Sequence, residues 1–584
     1  MTNQVKEYTK NIVKIGVVYQ IFMRVSVIII FGALFLQPKA YCEQIVPLYG
    51  LFETSITGAK VYKNPFSEVE LKAIFESPSG RRVEFFGFFD GNGKGGENGN
   101  IWKQRFMPDE TGRWEYEIWF SDGSKRIKGG FLCTSEGSLP GPWRQKDNNP
   151  RWFSTARGEN FLPSAFIAYA NLADIDFSDA IEWAQNKGYN TLVTPTFNPK
   201  FWAKGWPNTT PFKSTLVSKL VNRWWRVVEY EKFNLKMWRQ WDDLILKAGA
   251  AGIYIAPFEG PAGDYGGQSG LGTVVPPEGM EYYPKMNIRF DHPLNLLIIK
   301  YFVARQAAFW NLAYWNLYST EIYEIKDKDE IVKYGEYMAA ITPFGRMITA
   351  QDIEQNGRRW LTMMNFPKNR KLNTIQAKGV NRPTYQEAKA CNQLAIESYH
   401  DMPVFATEAL WEGQTRAKKP LRMIWGFLSG GIIPAWGDWS YEYGKDEHLY
   451  GSLGKSWAPV MPLDLRVFRP EQLGADTVGD EQLKIAIEAV QKVEFWKMNP
   501  HNDLVRNSEE AYCLADPGRQ YIVYTPHGGD IQLDMNGWPG VFKYRWLDPV
   551  TGEFTEHMKV EGGHTVGFSA PINTDCVLFV IRVH

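Results

Sequence analysis

Cysteine is scarce in this chain: five residues in 584. Cys42 closes the N-terminal segment, Cys133 and Cys391 fall in stretches of different patterning, and Cys513 and Cys576 share one, so a bridge between these last two is left open. There is no C-x-x-C pair, no H-E-x-x-H and no other dense ligand spacing, which excludes a disulfide scaffold and argues against metal as an organising principle. Charge of one sign is also missing. Lys+Arg and Asp+Glu both number 65, and without a basic stripe a nucleic-acid partner is not expected. No apolar run reaches the roughly 20 residues of a membrane helix. The longest, from Val25 to Leu36, follows Lys14 and Arg24 and precedes Ala40-Tyr41-Cys42. It has the length of a signal-peptide core, so residues 1–42 are expected to direct export, with Met23 a candidate start, and the mature chain to lack a membrane span. An uncleaved anchor is the alternative. No G-x-G-x-x-G follows any expected strand, which weighs against a dinucleotide-binding sheet, and no internal repeat or low-complexity tract is present.

Aromatic residues, by contrast, are abundant. They make up 15% of the chain, with 23 Trp, 28 Tyr and 35 Phe. Most must fill cores, but aromatic faces also stack on the C–H faces of sugar rings.

The patterning divides the chain after residue 42 into three parts. Residues 43–140 read as all-β. Val69 to Phe75, Arg82 to Phe89 and Arg113 to Phe120 alternate apolar and polar side chains, with turns at Asp90-Gly91-Asn92-Gly93 and Ser121-Asp122-Gly123. Residues 141–500 alternate strands with helices. Strands are expected near 161–169, 191–197, 253–258, 313–318, 346–350, 372–377, 403–407 and 431–436, with helices at 177–187 (stopped by Gly188), 237–248 and 481–497. Eight β/α units over this length predict a (β/α)8 TIM barrel, with a doubly wound sheet as the alternative. Residues 501–584 return to β, in 520–525, 541–549 and 576–581.

Active sites of such barrels lie at the C-terminal strand ends. Strand four leads through Asn316 to Glu321, and strand seven leads to Glu408. Two glutamates across one opening suit glycosidic cleavage, one protonating the leaving oxygen and the other attacking or activating water. Glu324 and Asp352 compete for the first role. Glu412 is expected to support Glu408, and Glu259 to bind a hydroxyl or anchor its loop. The long segments after strands two and three carry Trp202, Trp206, Trp224, Trp225, Tyr265, Tyr282 and Tyr283. Trp202 and Trp206 are candidate cleft walls and Trp436 and Trp439 a candidate floor, while Trp224 and Trp225 stand equally for a helix core.

Three resemblances sharpen these expectations. Asn64-Pro65-Phe66-Ser67-Glu68-Val69, Gly87-Phe88-Phe89-Asp90-Gly91, Arg105-Phe106-Met107-Pro108 and Gly112-Arg113-Trp114-Glu115-Tyr116 resemble the immunoglobulin-like domain found ahead of many bacterial glycanase barrels. Tyr544 to Gly552 resembles a C-terminal sandwich often labelled "putative collagen-binding", which commonly follows apiosidase-like barrels. Residues Pro403 to Gly413 and Arg422 to Trp439 are similar to glycoside hydrolase clan A and its apiosidase-like group. Carried over, that similarity implies a retaining, cofactor-free and metal-free hydrolase of plant or algal polysaccharide, with Glu408 as nucleophile and Glu321 as acid/base. Clan members usually carry Asn before the strand-four glutamate, where this chain has Thr320. The alternatives are a surface glycan-binding protein with an inactive barrel, and a lyase.

Overall fold

The computed structural model describes residues 43–167, 177–194, 212–220, 223–257, 290–291, 293–317, 328–349, 351–352, 373–375, 402–412, 420–438 and 478–583. The expected signal segment, residues 1–42, lies outside them. So does Cys391.

Residues 43–134 form two sheets packed face to face, one of five strands and one of three. Strict alternation makes this possible: Leu71–Glu76 buries Leu71, Ala73 and Phe75 and turns Lys72 and Glu76 to solvent. Phe75 stacks on Phe106 and Phe52 on Phe131 across the two sheets, with ring centroids 3.9 and 4.2 Å apart.

The central region is built on parallel strands: β1 (Ala165–Ile167), β2 (Thr191–Thr194), β3 (Tyr254–Pro257), β4 (Tyr314–Asn316), β5 (Met347–Thr349), β6 (Asn373–Ile375), β7 (Val404–Glu412) and β8 (Ile432–Asp438). β1 pairs with β2 and β8, β2 with β3, β4 with β5, and β7 with β6 and β8. A parallel bridge, Ile255 to Leu312, links β3 to the chain entering β4. Gln351–Asp352, just past β5, pairs with β6. The helices are α1 (Phe177–Asn186), α2 (Leu235–Ala250), α3 (Pro293–Gln306), α4 (Lys328–Ile341), α5 (Pro420–Ser429) and α6 (Val478–Val490). Gly188, at φ +80°, gives α1 the left-handed stop that a side chain would oppose. Asn234 caps α2 by accepting from the Met237 amide.

Between β2 and α2 the chain inserts an antiparallel hairpin, Phe212–Leu220 with Arg223–Phe233. Trp224 and Trp225 therefore lie on a strand, neither in a helix nor in an open loop. Residues 499–582 form a six-stranded and a two-stranded sheet around their own core of Leu533, Phe542, Trp546, Phe568 and Leu578. Cys513 and Cys576 are both buried free thiols there, so no bridge joins them.

The two β-rich ends meet the central region differently. At the N-terminal seam, three cations (Lys103, Arg105, Arg305) and three carboxylates (Glu53, Asp90, Asp242) interlock. Arg105 donates to Asp242 at 2.8 Å, to Glu53 at 2.7 Å and to the Arg305 carbonyl at 2.6 Å. Arg305 of α3 donates to Asp90 at 2.7 Å and to both oxygens of Asp242. Burial alone would raise the Asp242 and Glu53 carboxyls, but the neighbouring cations, Arg105 foremost, outweigh it and hold both below the usual range. The C-terminal seam includes Trp425 of α5 stacked on Tyr524 and, among the described residues, the partly exposed pair of Arg422 with Asp575 at 3.2 Å.

Candidate active site

The two ends of the parallel strands differ in chemistry. The N-terminal end is closed by a small sheet of Trp143–Gln145, Phe153–Thr155 and Asn160–Phe161. Its Trp143 ring lies 5.7 Å from Tyr254 of β3, 5.8 Å from Tyr314 of β4 and 5.7 Å from Phe405 of β7. One indole thus seals an end bounded by three strands. Tyr254 also donates to the Gly141 carbonyl at 2.7 Å. Burial pushes the Tyr254 and Tyr314 phenols far up, so both are neutral structural groups.

At the opposite end the strands finish in polar residues. Thr194 of β2, Asn316 of β4 and Thr349 of β5 are all buried, and Asn316 stands directly beside Thr349 in register. β7 carries the main irregularity. Ala406 pairs with Pro434 and Leu410 with Trp436, so Thr407, Glu408 and Ala409 together face a single β8 residue, Ala435. This is a bulge, a device that unpairs backbone and re-aims a side chain and that is over-represented beside active sites. Further on, Glu412 of β7 stands opposite Asp438 of β8. Two acids in register at neighbouring strand ends are unfavourable for packing alone.

Of the residues singled out in the sequence, Asn316, Glu408 and Glu412 lie on described strands at this polar end. Glu321, Glu259, Trp202, Trp206 and Trp439 lie outside the described residues, as does Glu324. Trp436 requires a correction. It is fully buried, and its register partner Phe166 faces α1, packing on Trp183 at 4.8 Å. Partners in a parallel sheet share a face, so Trp436 points into the helical layer. A Cβ on Gly479 of α6 would come within 1.8 Å of its ring. It cannot floor a cleft. Thr194, Thr349 and Asp438 were missed. The only available signal was polar residues ending otherwise apolar strands, and the eighth strand was read as stopping at Trp436.

Comparisons with known proteins fit this arrangement. Residues 45–121 match a family described as "Domain of unknown function (DUF5060)", and residues 500–581 one described as "Putative collagen-binding domain of a collagenase". No curated protein matches the chain. Among solved structures, a "putative glycoside hydrolase" from Bacteroides vulgatus is similar with a TM-score of 0.65 at 17% identity, over 93% of this chain and all (100%) of that one. A glycoside hydrolase family 5 structure from the same organism reaches 0.51 at 14% identity, over 76% of this chain and 95% of its own. A third, named only "Glycoside hydrolase", reaches 0.50 at 13% identity, over 76% and 98%. At these identities the likeness is one of fold. These neighbours are named as glycoside hydrolases, and the fold this chain shares with them is a mixed α/β one.

Proposed function

We propose that this chain is an exported glycoside hydrolase working at the polar end of a (β/α)8 barrel. The circuit of pairings among β1 to β8, with the Ile255 bridge and the Gln351–Asp352 extension, supports reading the parallel strands as one closed barrel. On this reading residues 1–42 are the signal, 43–140 an immunoglobulin-like sandwich, 141–500 the barrel and 501–584 the C-terminal sandwich, in the apiosidase-like arrangement. Among the described residues no helix is long and apolar enough to cross a membrane.

The observation that carries the reading is the bulge that unpairs Glu408 at the end of β7, across from an end closed by Trp143. In the proposed chemistry Glu408 is the nucleophile and Glu321 protonates the leaving oxygen, with retention at the anomeric carbon. Asn316, Glu412 and Glu259 would hold sugar hydroxyls, and Trp202, Trp206 and Trp439 would line the cleft. The substrate is a plant or algal polysaccharide or its oligosaccharides, and the chemistry needs no cofactor or metal.

The test is digestion of a glycan panel by the wild type, Glu408→Gln and Glu321→Gln. On an accepted glycan each substitution should lower kcat by roughly 10²–10⁴-fold. Wild-type turnover in Glu408→Gln would overturn the assignment. Binding of a glycan without any cleavage by the wild type would make the chain a binding protein instead.

A further inference from the structure

Among the described residues, the mechanism leaves a fully buried cation unexplained. Arg346, immediately before β5, has no accessible surface and belongs to the sealed end of the strands. Its Nη2 donates to the carbonyls of Ala307 and Phe309 at 2.9 and 2.8 Å, just beyond the C-terminus of α3. Its guanidinium carbon sits 5.5 Å from the Trp315 ring centroid, so one face is covered. Nε and Nη1 have no partner, and no carboxylate among the described residues pairs with this arginine. The charge next to it has the same sign. Arg144 of the closing sheet donates to the Phe344 carbonyl at 2.8 Å and opposes the charge on Arg346. Burial, reinforced by Arg144, pulls Arg346 down to about 9, which still leaves it cationic at neutral pH.

The compensation falls short. A helix C-terminus supplies about half an elementary negative charge, and the ring face adds a weaker attraction. Both act through Nη2 and one face of the plane, leaving the edge formed by Nε–H and Nη1–H unanswered. Water would accept both hydrogens but would not neutralise the charge. Complete burial excludes any large ligand. We propose that Arg346 binds a small monovalent anion of the halide class through Nε–H and Nη1–H, with the Arg144 charge reinforcing the site. Its role is to complete the closed end of the strands, away from the end where chemistry is placed, and the inference does not depend on the hydrolase reading.

The test uses the full chain exchanged into sodium gluconate. Chloride or bromide added at constant ionic strength should raise Tm saturably, by roughly 3 °C at a hundredfold excess over the dissociation constant. Arg346→Met should abolish that increment, whereas Arg422→Met, at a distant pair, should keep it. Crystals grown in bromide should show an anomalous peak within hydrogen-bonding range of Nε and Nη1, a readout that needs no variant to fold. A halide-independent Tm, or a site filled by water alone with no anomalous signal, would overturn the proposal.

Discussion

The two β-rich ends of this molecule are fastened to its centre in opposite ways. At the N-terminal seam six ionisable side chains are interlocked, five of them buried and Glu53 partly exposed, and Arg105 and Arg305 also lie over one ring, 5.0 and 4.8 Å from the centroid of Phe88. At the C-terminal seam Trp425 stacks on Tyr524, aliphatic residues such as Leu514, Ile522 and Val577 join the central core, and the Arg422–Asp575 ion pair reaches solvent. A closed charge network is intolerant: its members compensate one another, so removal of one strands the rest in a low dielectric. An apolar seam with a wet ion pair is forgiving, because water takes over whatever the pair gives up. The first seam therefore specifies a single docking geometry, while the second supplies adhesion.

Breaking the first seam should have the largest effect. Arg305→Met leaves Asp90 and Asp242 buried without their shared cation and should cost about 3–5 kcal/mol in urea unfolding. Pairing it with Asp242→Leu should cost clearly less than the sum of the single losses, because both changes dismantle one network. Acid should expose the same contrast less severely. Asp242 and Glu53 are held below ordinary carboxylate values, so their stabilisation is fully present above the unfolded-state pKa of about 4 and is lost as pH falls through their lower folded values. Near the C-terminal seam burial raises Asp516, whose ionisation costs stability that acidification returns. Hydrogen exchange at pH 3 should accordingly open Ile101–Phe106 before Cys576–Arg582; the reverse order would show that the charged seam is not the acid-sensitive one. The smallest effect is expected from Arg422→Met, about 1–2 kcal/mol for its pair with Asp575 and its hydrogen bond to the Pro526 carbonyl.

Much of this architecture was legible in the sequence, and what was illegible has a common cause. The eight strands and the helices at 177 and 237 were found because period and glycine stops are local signals, and Gly188 ends α1 where its position in the pattern predicts; the helix expected over 481–497 stops at Val490, with a separate 3₁₀ turn at Phe495–Lys497. The β7 bulge was invisible, since the strand was read as stopping at Thr407, and only the register with β8 shows that it runs on to Glu412. The fate of Trp436 was equally hidden, because alternation tells the two faces of a strand apart without telling which one meets a helix. The inserted hairpin escaped because its tryptophans were weighed only as loop or helix residues. One clue to the charged seam was present and unused. Pro293–Gln306 is apolar nearly all round, the mark of a helix covered on more than one side, and Arg305 lies in its last turn. At the candidate site, strand counting put Glu408 near the end of the seventh strand, where the described strand carries it, but the acid at Asp438 lay beyond the point where the eighth strand was thought to end.

The sequence separation within the charged seam has a consequence for how the molecule is made. Arg105 and the Arg305 carbonyl it binds are 200 residues apart. At a synthesis rate of about 5–20 residues per second, the first sheets emerge roughly 10–40 s before α3 exists to receive them. Throughout that interval Lys103 and Arg105 have only Glu53 and Asp90 for company, on a surface later buried. The N-terminal sheets are thus born as an unfinished half, and their maturation is timed by the arrival of a helix encoded far downstream.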